Sequence, residues 1–108
     1  MLSPSLLTPQ AWQDALEITE YIATDNPEAA VRFVPALEAT CEQLVVLPRI
    51  GSARTCARTD LKGVRMVPVT GFEHYLIFYT VVRKSIKVIR VLHAARDFPT
   101  IFTCVFSF

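Results

Sequence analysis

Cleaving an RNA phosphodiester without a metal requires a base for the 2′-hydroxyl, a cation for the charge on the phosphorane and an acid for the departing oxygen. In this chain Arg65, Tyr79, Arg90 and His93, on or beside the predicted strands, are the plausible set for these roles. Alternation along an apolar strand places Ile86, Val88, Arg90 and Leu92 on one face and Lys87, Ile89, Val91 and His93 on the other. Arg90 and His93 are therefore expected to leave the strand on opposite sides, which makes a joint site hard to assemble. Beyond Asp97 the chain holds no Tyr, Lys, Arg, Glu or His, so no acid or base comes from the tail. Metal chemistry is also unfavoured. Cys41, Cys56 and Cys104 are far apart, form no CxxC and have no neighbouring His, and read as free thiols of a reducing cytoplasm.

These side chains need a scaffold, and the sequence outlines one. His74–Val82 and Ile86–Leu92 are rich in β-branched and aromatic residues and flank the polar break Arg83-Lys84-Ser85, which predicts a β-hairpin. Val64–Val69 reads as a further strand limited by Pro68, and Gly71 marks the turn between. Upstream, Thr8 offers an N-cap with Pro9 at the first helical position. Ala11, Ala15, Ile18 and Ile22 then recur at helical spacing, beside Trp12, Leu16 and Ala23. Gln13, Asp14, Glu17 and Glu20 are expected on the wet side.

At Asp25-Asn26-Pro27-Glu28 a second helix starts, either with Asn26 as cap and Pro27 first in the helix, or with Asp25 and Glu28 closing a capping box. It runs to about Leu47 on a stripe of Ala30, Val34, Leu37, Cys41, Leu44 and Val45. Pro35 lies inside it, so a bend is expected near Val31–Pro35. Trp12 and Phe33 are expected in the core of this helical hairpin. Residues 2–7 are a candidate edge strand, the dozen residues after Pro48–Ser52 a basic loop, and the apolar tail 101–108 a further strand or a flap over the sheet. The order is β-α-α-β-β-β: an α+β domain with an N-terminal helical hairpin packed on a small antiparallel β-sheet, one domain over residues 1–108.

Bulk composition bears on partners. With 108 residues, 52% hydrophobic and 19% charged, the chain is apolar for a soluble monomer, which suggests a surface normally covered by a partner. No apolar run is long enough to span a bilayer. The net charge of +1 hides a division. Residues 1–48 hold seven acids against Arg32, a net −6, whereas residues 49–108 hold ten Lys and Arg against Asp60, Glu73 and Asp97, a net +7. Either the basic half faces an acidic peptide, a nucleic acid or a nucleic-acid machine, or the two halves neutralise each other through ordinary surface pairs.

Several segments resemble one family. They are Ala11-x-x-Asp14, Tyr21-Ile22-Ala23-x-Asp25-Asn26-Pro27-x-Ala29-Ala30-x-Arg32-Phe33, Leu44 with Pro48-x-x-Gly51, Tyr75-x-Ile77-Phe78-Tyr79, and Ile89-Arg90-Val91-Leu92-His93-x-Ala95-Arg96-Asp97. In this order, over roughly residues 11–98, they look like the RelE/ParE superfamily of toxins from toxin–antitoxin modules, and closest to its ParE branch. The resemblance implies a cytoplasmic toxin without cofactors, in a hetero-oligomer with an antitoxin whose acidic C-terminal segment wraps around it. ParE toxins poison DNA gyrase. RelE toxins cleave messenger RNA on the ribosome with clustered Arg, Lys, Tyr or His on the sheet and after the last strand.

The expected reading is therefore a gyrase-directed, protein-binding toxin. A RelE-like ribonuclease using Arg65, Tyr79, Arg90 and His93 is the alternative, and an inactive partner-binding member a third. Candidates for contact with antitoxin or target are Arg65, Tyr75, Tyr79, Arg83, Lys87, Arg90, His93 and Arg96. Each has a plainer role open to it. Tyr75 and Tyr79 suit core or rim, Arg90 an exposed snorkelling position, His93 a turn contact with Asp97, and Arg96-Asp97 a local pair.

Overall fold

A computed structural model describes residues 6–53, 64–83 and 85–95 of the chain. Helices α1 (Pro9–Asp25) and α2 (Pro27–Val46) are followed by strands β1 (Ser52–Ala53), β2 (Arg65–Val69), β3 (Phe72–Val82) and β4 (Ser85–His93). The strands form one antiparallel sheet in the order β1-β2-β3-β4, with the helical hairpin on one face. None of the described helices is long and apolar enough to cross a membrane. The expected tail strand or flap, the Arg96-Asp97 pair, Cys56 and Cys104 lie outside the described residues.

The helix signals act as the sequence predicts. Thr8 caps α1, its Oγ1 accepting from the Ala11 N–H at 3.1 Å with Pro9 next. Of the two caps open at the start of α2, Asn26 is the one used, its Oδ1 accepting from the Ala29 N–H at 3.1 Å. Asn26 also ends α1 by donating its own N–H to the Ile22 carbonyl, so a single residue links the helices. α2 is unbroken through Pro35. Pro35, which has no N–H to give the Val31 carbonyl, and Val31 are both exposed, so the lost helical bond lies on the solvent side of α2.

The core between helices and sheet holds Ala11, Ala15 and Ile18 of α1, Phe33, Leu37, Cys41 and Leu44 of α2, and Tyr75, Ile77, Tyr79, Ile86, Val88 and Val91 of the sheet. Phe33 is fully buried and stands edge-on to both Phe72 and Tyr75, at 5.3 Å between ring centres in each case. On the opposite face Val64, Leu76 and Phe78 are buried, with Met66, Ile89 and Leu92 packed against them.

Three expectations need correction. The first strand shrinks to one parallel bridge between Leu7 and Val88, reinforced where the Thr8 N–H donates to the Val88 carbonyl at 3.0 Å. A two-residue strand, Ser52–Ala53, takes part of the stretch read as loop and pairs with Arg65 and Met66. Most important for the site, β4 does not alternate without interruption. Tyr79 pairs with Val88 but Phe78 with Arg90, so one extra residue is accommodated there as a bulge. Beyond it the phase inverts. Val91 joins Ile86 and Val88 under the helices, and Leu92 joins Ile89 on the far face.

Pro68 is tolerated because pairing with β1 has ended by then and the register with β3 shifts between Pro68 and Val69. Thr40 of α2 pins the adjacent turn by accepting from the Thr70 N–H at 3.1 Å, while its hydroxyl donates to the Ala36 carbonyl.

Candidate functional site

The proposed nuclease set separates into two groups, each engaged in holding the fold. Tyr79 is fully buried. Its hydroxyl donates to the Pro48 carbonyl at 2.8 Å and accepts from the Gly51 N–H at 2.9 Å. Arg65, opposite Tyr79 in the β2–β3 ladder, donates from Nη1 to the Gly51 carbonyl at 2.7 Å and the Arg49 carbonyl at 3.3 Å. Together they close the loop from α2 into β1. Gly51 is required there: a Cβ would lie 2.5 Å from the Tyr79 hydroxyl oxygen and 2.9 Å from the Met66 carbonyl oxygen.

Arg90 and His93 occupy the other end of the sheet. Arg90 is in register with Phe78 of the far face and reaches Asp14 past the outer edge of β4, whereas His93 is in register with Tyr75 under the helices, so the two leave the strand on opposite sides as the sequence predicts. Arg90 grips Asp14 of α1 in a forked pair, Nε to Oδ2 at 2.8 Å and Nη2 to Oδ1 at 3.1 Å. The Asp14 carboxylate is 5% exposed and also accepts from the Val91 N–H at 3.1 Å and from Gln10 Nε2 at 3.0 Å. A buried carboxylate with four donors around it is fully compensated, and it fastens α1 to β4 beside the bulge. Thr8 adds a further clasp, its hydroxyl donating to the Ile89 carbonyl at 3.0 Å. His93 lies edge-on to Tyr75 at 4.9 Å, with its ring nearly parallel to that of His74 at 6.2 Å. Its Nδ1 accepts from the Ala95 N–H at 3.1 Å.

Of the remaining candidates, Tyr75 is buried against Phe33, Lys87 is exposed on β4, and Arg83 is exposed at the β3–β4 turn with φ +48°. Arg96 lies outside the described residues. Among the described residues no group of three His, Cys, Asp or Glu is placed to hold a metal ion. Asp14 is the residue that sequence reasoning misplaced. It falls three residues after Ala11 and four before Ile18, on the buried stripe, so its position carried the signal that its polarity concealed.

An α+β domain of two helices on an antiparallel sheet, with this order, defines the fold. The chain belongs to the ParE toxin family of type II toxin–antitoxin systems (parDE), whose family model matches residues 6–98. The fold is similar to that of a solved structure of the chromosomal ParDE toxin–antitoxin system from P. aeruginosa, with a TM-score of 0.64 and 20% identity, covering 81% of this chain and 90% of that one. Among curated proteins nothing matches the sequence.

Proposed function

We propose that this chain is a growth-inhibiting toxin that acts in the cytoplasm by binding DNA gyrase, without chemistry of its own. In this reading it is kept silent in a hetero-oligomer with an antitoxin whose acidic C-terminal segment covers it. Family membership supports the toxin role. The commitment of Arg65, Tyr79 and Arg90 to internal bonds supports action by binding rather than catalysis. An acid–base group for phosphodiester cleavage must reach the substrate, and a phenol buried between Pro48 and Gly51 is not positioned to do so. The net +7 of residues 49–108 fits an acidic peptide that wraps by groove burial and charge steering.

Induced expression in bacteria tests the reading. A gyrase poison gives cleaved chromosomal DNA and a damage response while messages stay intact. Purified gyrase with the toxin accumulates cleaved plasmid. Cuts inside codons of translated messages, abolished by Arg90→Ala with His93→Ala, would establish the ribonuclease instead. Unchanged growth would point to the inactive family member.

A further inference from the structure

Where α2 ends against the tip of the β3–β4 hairpin, the surface carries a shallow groove of about 490 Å³. Its apolar wall is Val46, Leu47, Ile50 and Val81, and Arg49 and Arg83 stand in the same lining with no acidic residue among its described members. Val46 is 76% exposed, Leu47 57% and Ile50 58%, a concentration of open aliphatic surface unlike the scattered Leu16 and Val31 elsewhere. Arg83 is also the only described residue besides glycine with a positive φ. A left-handed conformation disfavours an arginine, and Gly or Asn would fill this turn more comfortably. A long cationic side chain kept at a strained tip beside open apolar surface is a mark of use rather than of folding.

We infer that this groove receives a short segment of the antitoxin in which one or two carboxylates flank aliphatic side chains, the carboxylates meeting Arg49 and Arg83 and the aliphatics covering Val46, Leu47 and Ile50. The inference rests on the neutralisation reading above and names the surface that reading leaves open. The chemistry of the lining selects the occupant. No aromatic ring stands among the described lining residues to stack a base, which disfavours single-stranded nucleic acid. Two guanidiniums spaced across an apolar floor suit carboxylates on a polypeptide, because Arg forks match them. The volume accommodates a few side chains, so the groove is an anchor point within a longer wrapped interface.

The probe is the purified polypeptide encoded by the gene beside this one, titrated into the toxin by calorimetry, with methyl spectra recorded on toxin labelled at Val, Leu and Ile. The expected result has two parts. Methyl shifts appear at Val46, Leu47, Ile50 and Val81, and Arg49→Glu with Arg83→Glu weakens binding tenfold or more while Arg49→Lys with Arg83→Lys retains most of it. If the polypeptide binds but those methyls stay still and the charge-reversed protein binds equally well, the groove assignment is overturned and neutralisation stands. Absence of any binding to the unaltered toxin overturns both. Methyl shifts that instead follow toxin concentration alone identify the groove as a contact between copies of this chain, which also overturns it. Should the charge-reversed protein melt early, methyl mapping on the unaltered chain decides by itself.

Discussion

The Asp14–Arg90 pair decides how the C-terminal strand meets the helices. Asp14 is almost wholly buried while the Arg90 side chain keeps 37% of its surface in water, so the pair is intermediate between a surface bridge and a sealed one. Asp14→Ala leaves the Val91 N–H and the guanidinium without their shared acceptor. The expected cost is about 2–3 kcal/mol, less than for a fully buried pair because Arg90 can turn toward solvent. Denaturant unfolding of both single variants and the double variant checks this, and the cycle should show strong non-additivity. At Cys41, burial first and then Glu38 and Glu42 push the thiol up to about 12 from an ordinary 9.0. Cys41 of the native protein should therefore resist thiol reagents at pH 8 that modify it at once in the urea-unfolded chain, read out at that residue by peptide mapping. The sign for stability follows. The folded thiol holds its proton more tightly than the unfolded one, so its contribution is complete below about pH 9 and is lost as pH rises toward 12, visible as a melting temperature that falls across that window. The Cys41→Ala variant should flatten that fall.

At the scale of elements, local signals were legible and long-range ones were not. Thr8-Pro9 and Asn26-Pro27 wrote both helix starts into the chain, because a cap is chemistry among neighbours a few residues apart. The two strands of the hairpin likewise followed from their β-branched and aromatic runs. The bulge in β4 was hidden: nothing in Val88-Ile89-Arg90 marks an extra residue, and the groups that bond to the strand there, Thr8 and Asp14, lie 81 and 77 positions away. The sequence named Arg65, Tyr79 and Arg90, but their bonds to loop carbonyls and to Asp14 required the fold.

Two elements carry a strain that substitution should relieve. Arg83→Gly at the left-handed turn is expected to raise stability by about 0.5–1 kcal/mol, and Pro35→Ala in α2 by about 1–2 kcal/mol, since the alanine N–H restores a donor to the Val31 carbonyl at an exposed site. Chemical denaturation resolves both. By contrast Gly51→Ala should be severely destabilising, because the Tyr79 ring and the Met66 backbone that a methyl would strike cannot both withdraw.

For the whole molecule, the opposed charges of the two halves set how it meets partners rather than how it folds. If the basic half steers an acidic antitoxin, association should slow as salt rises while dissociation changes far less, and stopped-flow measurements at two ionic strengths separate these terms. The helical hairpin covers one face of the sheet and the buried Val64–Leu76–Phe78 cluster lies on the other.

The clasp of Thr8 on Val88 and Ile89 has one more effect, on self-association. An outer strand with bare amides is a template on which further copies can stack into fibrils, and here the middle of that rim is already occupied by the first turn of α1 and by Asp14. Fraying that turn uncovers the template. Thr8→Ala should shorten the lag before thioflavin-positive aggregates form, well below the temperature at which the rest of the molecule melts.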